Sequence, residues 1–283
     1  MSLFQALFLG ILQGATEFLP ISSSGHLVLV PWLLGWEAPG LAFDAVVHWG
    51  TAAAVVVYFW DRWVSLIREV IIFLRRTVSR EAEAGAERDQ GASTTWRVPL
   101  AWLIVLGTLP GAIAGYLFED FFEGMFGRPV AAALFLLVTA AILAASERFG
   151  RRRRNLDQLA WVDALFVGVG QALAILPGIS RSGATVAAGL ARGLKREPAA
   201  VFSFLLATPI IVGAGLLKVV ELSRVGGLAA QGPALLAGFA AAAIVGFVCI
   251  HYLIRYLRSG SLYPFAVYCV VFGIICVLVA IAR

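Results

Sequence analysis

Charged side chains are scarce in this chain. Of its 283 residues, 14% are charged and 60% are hydrophobic, whereas about a quarter of the residues in a soluble domain are charged. The shortage excludes an ordinary soluble protein and predicts an integral membrane protein. The formal net charge of +5 is not an indication of nucleic-acid binding, because the basic residues cluster in the loops between apolar segments.

Cysteine and histidine are also rare, with three of each. All three cysteines lie within apolar stretches, at Cys249, Cys269 and Cys276. An odd number of thiols in such positions does not form a disulfide framework. We therefore interpret them as small apolar packing residues.

Long hydrophobic runs are what the chain has in abundance. A bilayer requires about 20 apolar residues per crossing helix. Six segments meet that length, at residues 41–60, 98–118, 129–146, 199–222, 232–256 and 262–282. We predict an all-α polytopic membrane protein with one integral membrane domain, residues 1–283.

Two polar breaks in the apolar sequence are copies of one another. Six residues recur with a shift of 158 positions: Gly10, Gln13, Ile21, Ser22, Ser24 and Gly25 reappear as Gly168, Gln171, Ile179, Ser180, Ser182 and Gly183. Each copy is a short apolar segment that reaches a proline, Pro20 or Pro177, passes through a Ser/Gly turn and becomes apolar again. Duplicated breaks in hydrophobic segments indicate where such a protein works.

The segments around these breaks are too short to cross a bilayer twice, so we predict re-entrant helical hairpins at 3–36 and 161–194. Each hairpin precedes three spans, and an odd number of crossings inverts the second copy. Repeat one then covers about 1–146 and repeat two about 161–283. The hairpins would enter from opposite faces, with their tips meeting near mid-membrane.

The basic residues predict the orientation. Four loops on one side hold seven, five, three and two basic residues, which is 17 of the 22 in the chain: 61–97, 147–160, 191–198 and 255–260. The positive-inside rule makes this side cytoplasmic and leaves both termini outside. The loop at 61–97 begins as a helix, and we interpret the arginine run at 151–154 as a topology anchor near anionic lipid.

Several ionisable residues lie inside apolar sequence, where they are costly and mostly functional. Arg181, in the second tip, offers a guanidinium fork suited to phosphate; the alternative is a structural ion pair with Glu17. Glu17 shares a helix face with Gln13 and could orient a nucleophile, act as a general base or bind a divalent cation. His26 is a general acid/base candidate or a satisfied buried histidine.

The other two histidines, His48 and His251, are expected to be structural. Asp44, at the start of the first span, is assigned equally to positioning of the site and to capping or packing.

The hydroxyls of the two tips stand at helix starts, where serine is a good N-cap and glycine allows a close backbone approach. Two helix N-termini directed at one place form an anion site. With Arg181, this site suits a phosphate or diphosphate. Its predicted phosphate-binding residues are Ser22, Ser24, Gly25, Ser180, Arg181, Ser182, Gly183 and Thr185.

These residues resemble those of the undecaprenyl-diphosphate phosphatases, the bacitracin-resistance protein family. The family's motif of Glu or Gln, three residues and Glu matches Gln13 and Glu17, and its next segment matches FLPISSSGH, which ends at His26. The motif Pro-Gly-x-Ser-Arg-Ser-x-x-Thr matches 177–185 at every fixed position, and FSFLLATP at 202–209 is also similar.

The resemblance implies a bacterial plasma-membrane enzyme that hydrolyses a C55 isoprenyl diphosphate to the monophosphate carrier of cell-wall synthesis. It also implies a site open to the outer face, a requirement for Mg²⁺ or Ca²⁺, and bacitracin resistance. On this basis Ser23 attacks phosphorus or orients the attacking water, and His26 and Glu17 handle the proton. Glu17 and Gln13 are the candidate cation ligands, and the polyprenyl tail stays in lipid. Serine, histidine and water all remain open as the nucleophile.

Other interpretations are weaker. Inverted repeats with broken helices also build transporters, so a polyprenyl-phosphate transporter or flippase, alone or combined with the phosphatase, is the alternative function. The type-2 phosphatidic acid phosphatases are disfavoured, because no histidine follows Ser180-Arg181 within the next few residues. Glycine-rich spans such as 111–115 permit packing within or between chains, which leaves a homodimer open.

Overall fold

A computed structural model describes residues 1–83, 99–225 and 228–283 of the protein. The described residues contain no strand and form twelve α-helices and one 3₁₀ helix. Their bounds are α1 Leu3–Phe18, α2 Ser23–Leu34, α3 Leu41–Tyr58, α4 Trp60–Glu83, α5 Leu100–Leu117, α6 Glu119–Phe126, α7 Pro129–Phe149, α8 Trp161–Leu173, α9 Arg181–Ala191, α10 Arg196–Val225, α11 Leu228–Leu257 and α12 Tyr263–Ala282, with the 3₁₀ helix at Leu156–Gln158.

The predicted all-α class is confirmed. Six helices among the described residues are long and apolar enough to cross a membrane. These segments are Leu41–Tyr58, Leu100–Leu117, Pro129–Phe149, Arg196–Leu217, Gly232–Leu257 and Tyr263–Ala282. Of the predicted loop at 61–97, the first part is helix α4, and residues 84–97 lie outside the described residues.

The first polar break is a turn between α1 and α2. Helix α1 ends at Phe18 because Pro20 disfavours helical backbone at the residue before it, and Leu19 is extended with φ −60° and ψ 134°. Ser22 then adopts a φ of 70°, a region that costs energy for a residue with a Cβ. The tip therefore has a strained backbone beside its serine hydroxyls.

The second break, between α8 and α9, is held by helix α7. Gly178 has a φ of 101°, and a Cβ there would overlap the backbone of Ala132 in α7. Thr139 of α7 donates its hydroxyl to the carbonyl of Gly178 at 2.8 Å and accepts the N–H of Ser180 at 2.9 Å. One α7 side chain thus fixes the backbone immediately before α9.

Each hairpin packs on a span from the opposite half of the chain. Helix α1 packs against α11, and α8 packs against α5. The contacts are made by glycine: a Cβ on Gly10 would lie 2.5 Å from the carbonyl oxygen of Gly238, and one on Gly168 would overlap the backbone of Gly107. Small residues let such backbones approach closely, so the two halves are interlocked.

The bases of the two hairpins lie at opposite ends of α12. At the base of the first, the ring of Trp36 contacts those of Phe4 and Phe8. Arg283, after the last residue of α12, donates to the carbonyl oxygen of Trp32 at 3.0 Å. At the other end of α12, the N–H of Leu262 reaches Glu147, in the last turn of α7.

Two buried carboxylates organise the end of the bundle that contains Leu262. Glu147 accepts hydrogen bonds from Arg152 and Arg196. Asp163, in the first turn of α8, accepts from Arg154 and from Arg192 Nε at 2.6 Å. The start of α8 and the end of α9 are therefore joined.

The interpretation of residues 151–154 as a lipid anchor alone is incomplete, because Arg152 and Arg154 form ion pairs with buried carboxylates. The chain that joins these partners lies mostly outside the α-helices, and the sequence pattern does not show that they pair.

Asp163→Asn is expected to destabilise the protein by about 2 to 3 kcal/mol, because it removes charge-assisted hydrogen bonds and leaves two guanidinium groups without a counter-charge. Glu197→Gln is the matched control: it breaks an exposed pair with Arg258 and should cost less than about 1 kcal/mol. Thermal unfolding in detergent, followed by a thiol-reactive dye that detects the buried Cys269 and Cys276, measures both. Equal melting temperatures for the two variants would contradict the prediction.

Candidate active site

The two tips meet in an ion pair. Arg181, the first residue of α9, donates through Nη2 to Oε1 of Glu17, in the last turn of α1. The Glu17 side chain is 3% exposed and that of Arg181 is 18% exposed. The predicted structural pairing of these residues is therefore present, and it brings a carboxylate and a guanidinium together at one point.

The second oxygen of Glu17 collects three further polar groups. Gln13 donates its Nε2 to Oε2 at 2.9 Å, and the hydroxyl of Ser23 donates to the same oxygen. His48 Nε2 lies 3.6 Å from it. A serine hydroxyl that donates to a buried carboxylate is in the position of a nucleophile with its base.

These groups line a cavity of about 290 Å³. One part of its wall is polar, with Glu17, Ser22, Ser23, Ser24, Asp44, His48, Gln171, Ser180 and Arg181. The rest is largely apolar, with Leu41, Phe126, Ile175, Ile179, Ile210, Ile211 and smaller residues. The mixture suits a ligand with a charged head and an apolar tail.

The serine caps occupy some of the N–H groups that the sequence assigns to an anion. Ser22 Oγ accepts the N–H of Gly25 at 3.2 Å, and Ser180 Oγ accepts that of Gly183 at 3.0 Å. The first two N–H groups of a helix lie outside its own hydrogen bonding. In α2 and α9 these N–H groups, rather than those of the two glycines, are therefore suited to an anion.

Two side chains of the second tip that were predicted to bind phosphate do not line the cavity. Ser182 Oγ donates to the carbonyl of Leu19 at 3.2 Å, which joins the two tips. Thr185 Oγ1 donates to the carbonyl of Arg181 at 2.7 Å and lies 2.6 Å from Ser203 Oγ. The hydrogen bonds of both side chains stabilise the tip, and neither side chain lines the cavity.

His26 does not line the cavity either. Its Nδ1 lies 2.7 Å from the carbonyl oxygen of Ser22 and its Nε2 lies 2.7 Å from the hydroxyl of Tyr268. Its ring stacks on that of Phe272, with centroids 4.8 Å apart. Both nitrogens have partners, so this position corresponds to the satisfied buried histidine rather than to an acid/base group.

His48 and Asp44, for which the sequence did not favour a catalytic role, both face the cavity. The carbonyl oxygen of Asp44 lies 2.6 Å from His48 Nδ1, so Nδ1 carries the proton and Nε2 is directed at Glu17. Oδ1 of Asp44 is buried and has no hydrogen-bond partner. The signal that could have identified them is the presence of two ionisable residues, one helical turn apart, inside a span.

Unpaired polar atoms mark the rest of the site. The amide oxygen of Gln13, Nη1 of Arg181 and both amide atoms of Gln171 are buried and have no hydrogen-bond partner among the described residues. Among the described residues, no group of three or more His, Cys, Asp or Glu side chains could hold a metal ion. A cation at Glu17 and Gln13 would therefore need further oxygen ligands other than these side chains.

Comparison with known proteins places the chain in a family. The model of the bacitracin resistance protein BacA family matches residues 6–275. A protein of Pelotomaculum thermopropionicum named undecaprenyl-diphosphatase is 42% identical over 283 residues, covering 100% of this chain and 98% of its own. One of Moorella thermoacetica with the same name is 44% identical over 268 residues, covering 95% and 94%.

Proposed function

The chain belongs to the bacitracin resistance protein BacA family, and on that premise we propose that it is the membrane phosphatase that converts undecaprenyl diphosphate to undecaprenyl phosphate and phosphate. The reaction recycles the lipid carrier of cell-wall synthesis and confers bacitracin resistance. The contact that carries the proposal is the Ser23 hydroxyl bound to Glu17 beside Arg181. A partly buried hydroxyl, a buried carboxylate base and a guanidinium at one cavity wall are the components that phosphoryl transfer requires.

The diphosphate is bound by donors that the protein leaves unused. Arg181 donates Nη2 to Glu17, and its buried Nη1 has no partner among the described residues. The first-turn N–H groups of α2 and α9 add partial positive charge. Together they stabilise the charge on the phosphoryl oxygens in the transition state.

Ser23 is the proposed nucleophile. Its oxygen forms a bond to the terminal phosphorus while the bond to the bridging oxygen breaks, and undecaprenyl phosphate leaves with that oxygen. The Ser23 proton passes to Glu17, whose Oε2 already accepts it as a hydrogen bond. Water then hydrolyses the phosphoserine and regenerates the hydroxyl. The alternative kept from the sequence is direct attack by a water that Ser23 orients.

His48 takes the proton role that the sequence assigned to His26. Its Nε2 is 3.6 Å from Glu17 Oε2, so it can exchange a proton with the carboxylate between the two steps. The carbonyl of Asp44 fixes its tautomer, as a second partner does for many catalytic histidines.

A divalent cation, Mg²⁺ or Ca²⁺, is proposed to be held by Glu17 and by the amide oxygen of Gln13. The buried, unpartnered Gln13 oxygen supports this assignment. Magnesium is commonly bound by one or two carboxylates together with substrate phosphates, which fits a site with few protein ligands. When bound, the ion would neutralise charge on the diphosphate.

We further propose that the two hairpins are re-entrant and that the chain is an inverted-topology repeat. The equivalent pairings α1 with α11 and α8 with α5 support it, as do the hairpin bases at opposite ends of α12. Both termini then lie outside the bacterial plasma membrane and the arginine-rich end is cytoplasmic. Leu41 and Phe126, which line the cavity, lie at the outer ends of their helices, in agreement with a site open outward.

Detergent-solubilised wild-type protein is expected to release phosphate from undecaprenyl diphosphate. Ser23→Ala should lower kcat by about 1000-fold or more, because the nucleophile is lost. Ser24→Ala, at a neighbouring cavity hydroxyl, should lower kcat by less than about tenfold. Near-normal turnover of Ser23→Ala would exclude serine attack and leave histidine or water as the nucleophile. An inactive wild type that moves lipid across vesicles, while Arg181→Ala does not, would favour the transporter.

The two histidines are expected to separate catalysis from stability. His48→Gln should lower kcat by about 100-fold, because a proton carrier is lost. His26→Gln should lower the melting temperature, through the lost Tyr268 and Ser22 contacts, with kcat within about threefold of wild type. A large loss of kcat in His26→Gln, with near-normal kcat in His48→Gln, would assign the proton transfer to His26 instead.

Chelation with EDTA is expected to abolish phosphate release, and Mg²⁺ or Ca²⁺ to restore it. Gln13→Met keeps the side-chain length and removes the oxygen ligand. It should raise the cation concentration for half-maximal activity about tenfold, because oxygen is the ligand these cations require. Full activity of wild type in EDTA, or an unchanged cation requirement in the variant, would remove Gln13 from the proposed cation site.

A further inference from the structure

Gln171 is a buried amide that makes no hydrogen bond. Its residue is 2% exposed, both Nε2 and Oε1 lack a partner, and it lines the cavity. Buried polar groups in proteins are nearly always paired, and an exception calls for an explanation. The cavity beside it is where a partner for this amide can bind.

The sequence repeat shows how Gln171 lost its partner within the protein. Its counterpart in the first copy, Gln13, donates to Glu17 one turn later. The same spacing in the second copy leads to Ile175, whose side chain has no hydrogen-bond acceptor. Gln171 thus occupies the position equivalent to Gln13 but has no partner for its amide. Its helix belongs to the second half of the chain, whereas Glu17 belongs to the first.

The surroundings of Gln171 identify the part of the ligand that it faces. A Cβ built on Gly111 would lie 3.5 Å from Gln171 Nε2 and 2.8 Å from Ile210 Cδ1, so Gln171 and Ile210 adjoin the same point of α5. Ile210 and Ile175 belong to the apolar wall of the cavity. Gln171 is therefore a hydrogen-bond donor at the border of the apolar wall, whereas Ser23 and Glu17 lie in the polar part.

We propose that Gln171 binds the phosphate that carries the prenyl chain, by donating Nε2–H to its non-bridging oxygen. This proposal rests on the proposed phosphatase function and adds a second phosphate subsite, outside the recognised motifs of the family. The terminal phosphate is then bound at Ser23 and Arg181, and the retained phosphate lies toward Ile175 and Ile210. A neutral amide holds the product monophosphate more weakly than a guanidinium would, which favours its release.

Gln171→Met removes the amide and keeps a side chain of similar length. It should raise both the KM for undecaprenyl diphosphate and the inhibition constant of undecaprenyl monophosphate about tenfold, through loss of a hydrogen bond to a charged group. The kcat should stay within about threefold of wild type, and the inhibition constant of inorganic phosphate should not change. The melting temperature should be equal to or above that of wild type, because an unpaired buried amide has been removed.

Gln171→Glu is the matched variant. It keeps the shape and places a carboxylate where the phosphate is expected, so its KM should rise further than that of Gln171→Met. Equal KM values for the two variants would overturn the proposal, because a carboxylate beside a bound phosphate must repel it. A wild-type KM and inhibition constant in Gln171→Met would also overturn it, as would a marked fall in its melting temperature.

The same assay distinguishes this failure from failure of the phosphatase function. Wild-type protein that releases no phosphate from undecaprenyl diphosphate contradicts the function itself. Active wild-type protein with an unaffected Gln171→Met variant contradicts only the role of Gln171.

Discussion

The ion pair between Glu17 and Arg181 is the interaction on which the site depends. Removing two charges from water is costly, and the cost is recovered only when the pair is close and its remaining atoms are hydrogen-bonded. Glu17 meets this condition through Gln13 and Ser23. Arg181 does not, because Nη1 remains unpaired. The unused half of the guanidinium is what the cavity offers to an anionic ligand.

The structure holds this pair in place by interlocking the two halves of the chain. Helix α1, which carries Glu17, packs on α11 from the second half, and α8, which leads to Arg181, packs on α5 from the first. Ser182 joins the tips through the carbonyl of Leu19, and Thr139 of α7 fixes the turn before Ser180. Neither half could assemble the site alone, since each supplies the packing surface of the other's hairpin.

The two turns are similar in sequence and in their serine caps, and they differ in the charged side chains that they carry. Both turns cap a helix with a serine, Ser22 or Ser180. The first turn has the Glu17 carboxylate and the Ser23 hydroxyl beside it, and the second has the Arg181 guanidinium. The paired glutamines follow the same logic: Gln13 is engaged by Glu17, and Gln171, with Ile175 at the equivalent position, has no partner. Two similar turns that carry different side chains can bind the two ends of a diphosphate differently.

The sequence by itself determined the helical class, the six apolar helices and the position of both turns, because hydropathy and the effect of Pro20 and Pro177 on the backbone are local properties. It also indicated that Glu17 and Arg181 could pair. Only the tertiary structure decided that His48 faces Glu17 while His26 stacks on Phe272, and that Arg154 pairs with Asp163. Which way a side chain points around its helix axis, and which distant partner it meets, depend on helix packing, and no local pattern encodes them.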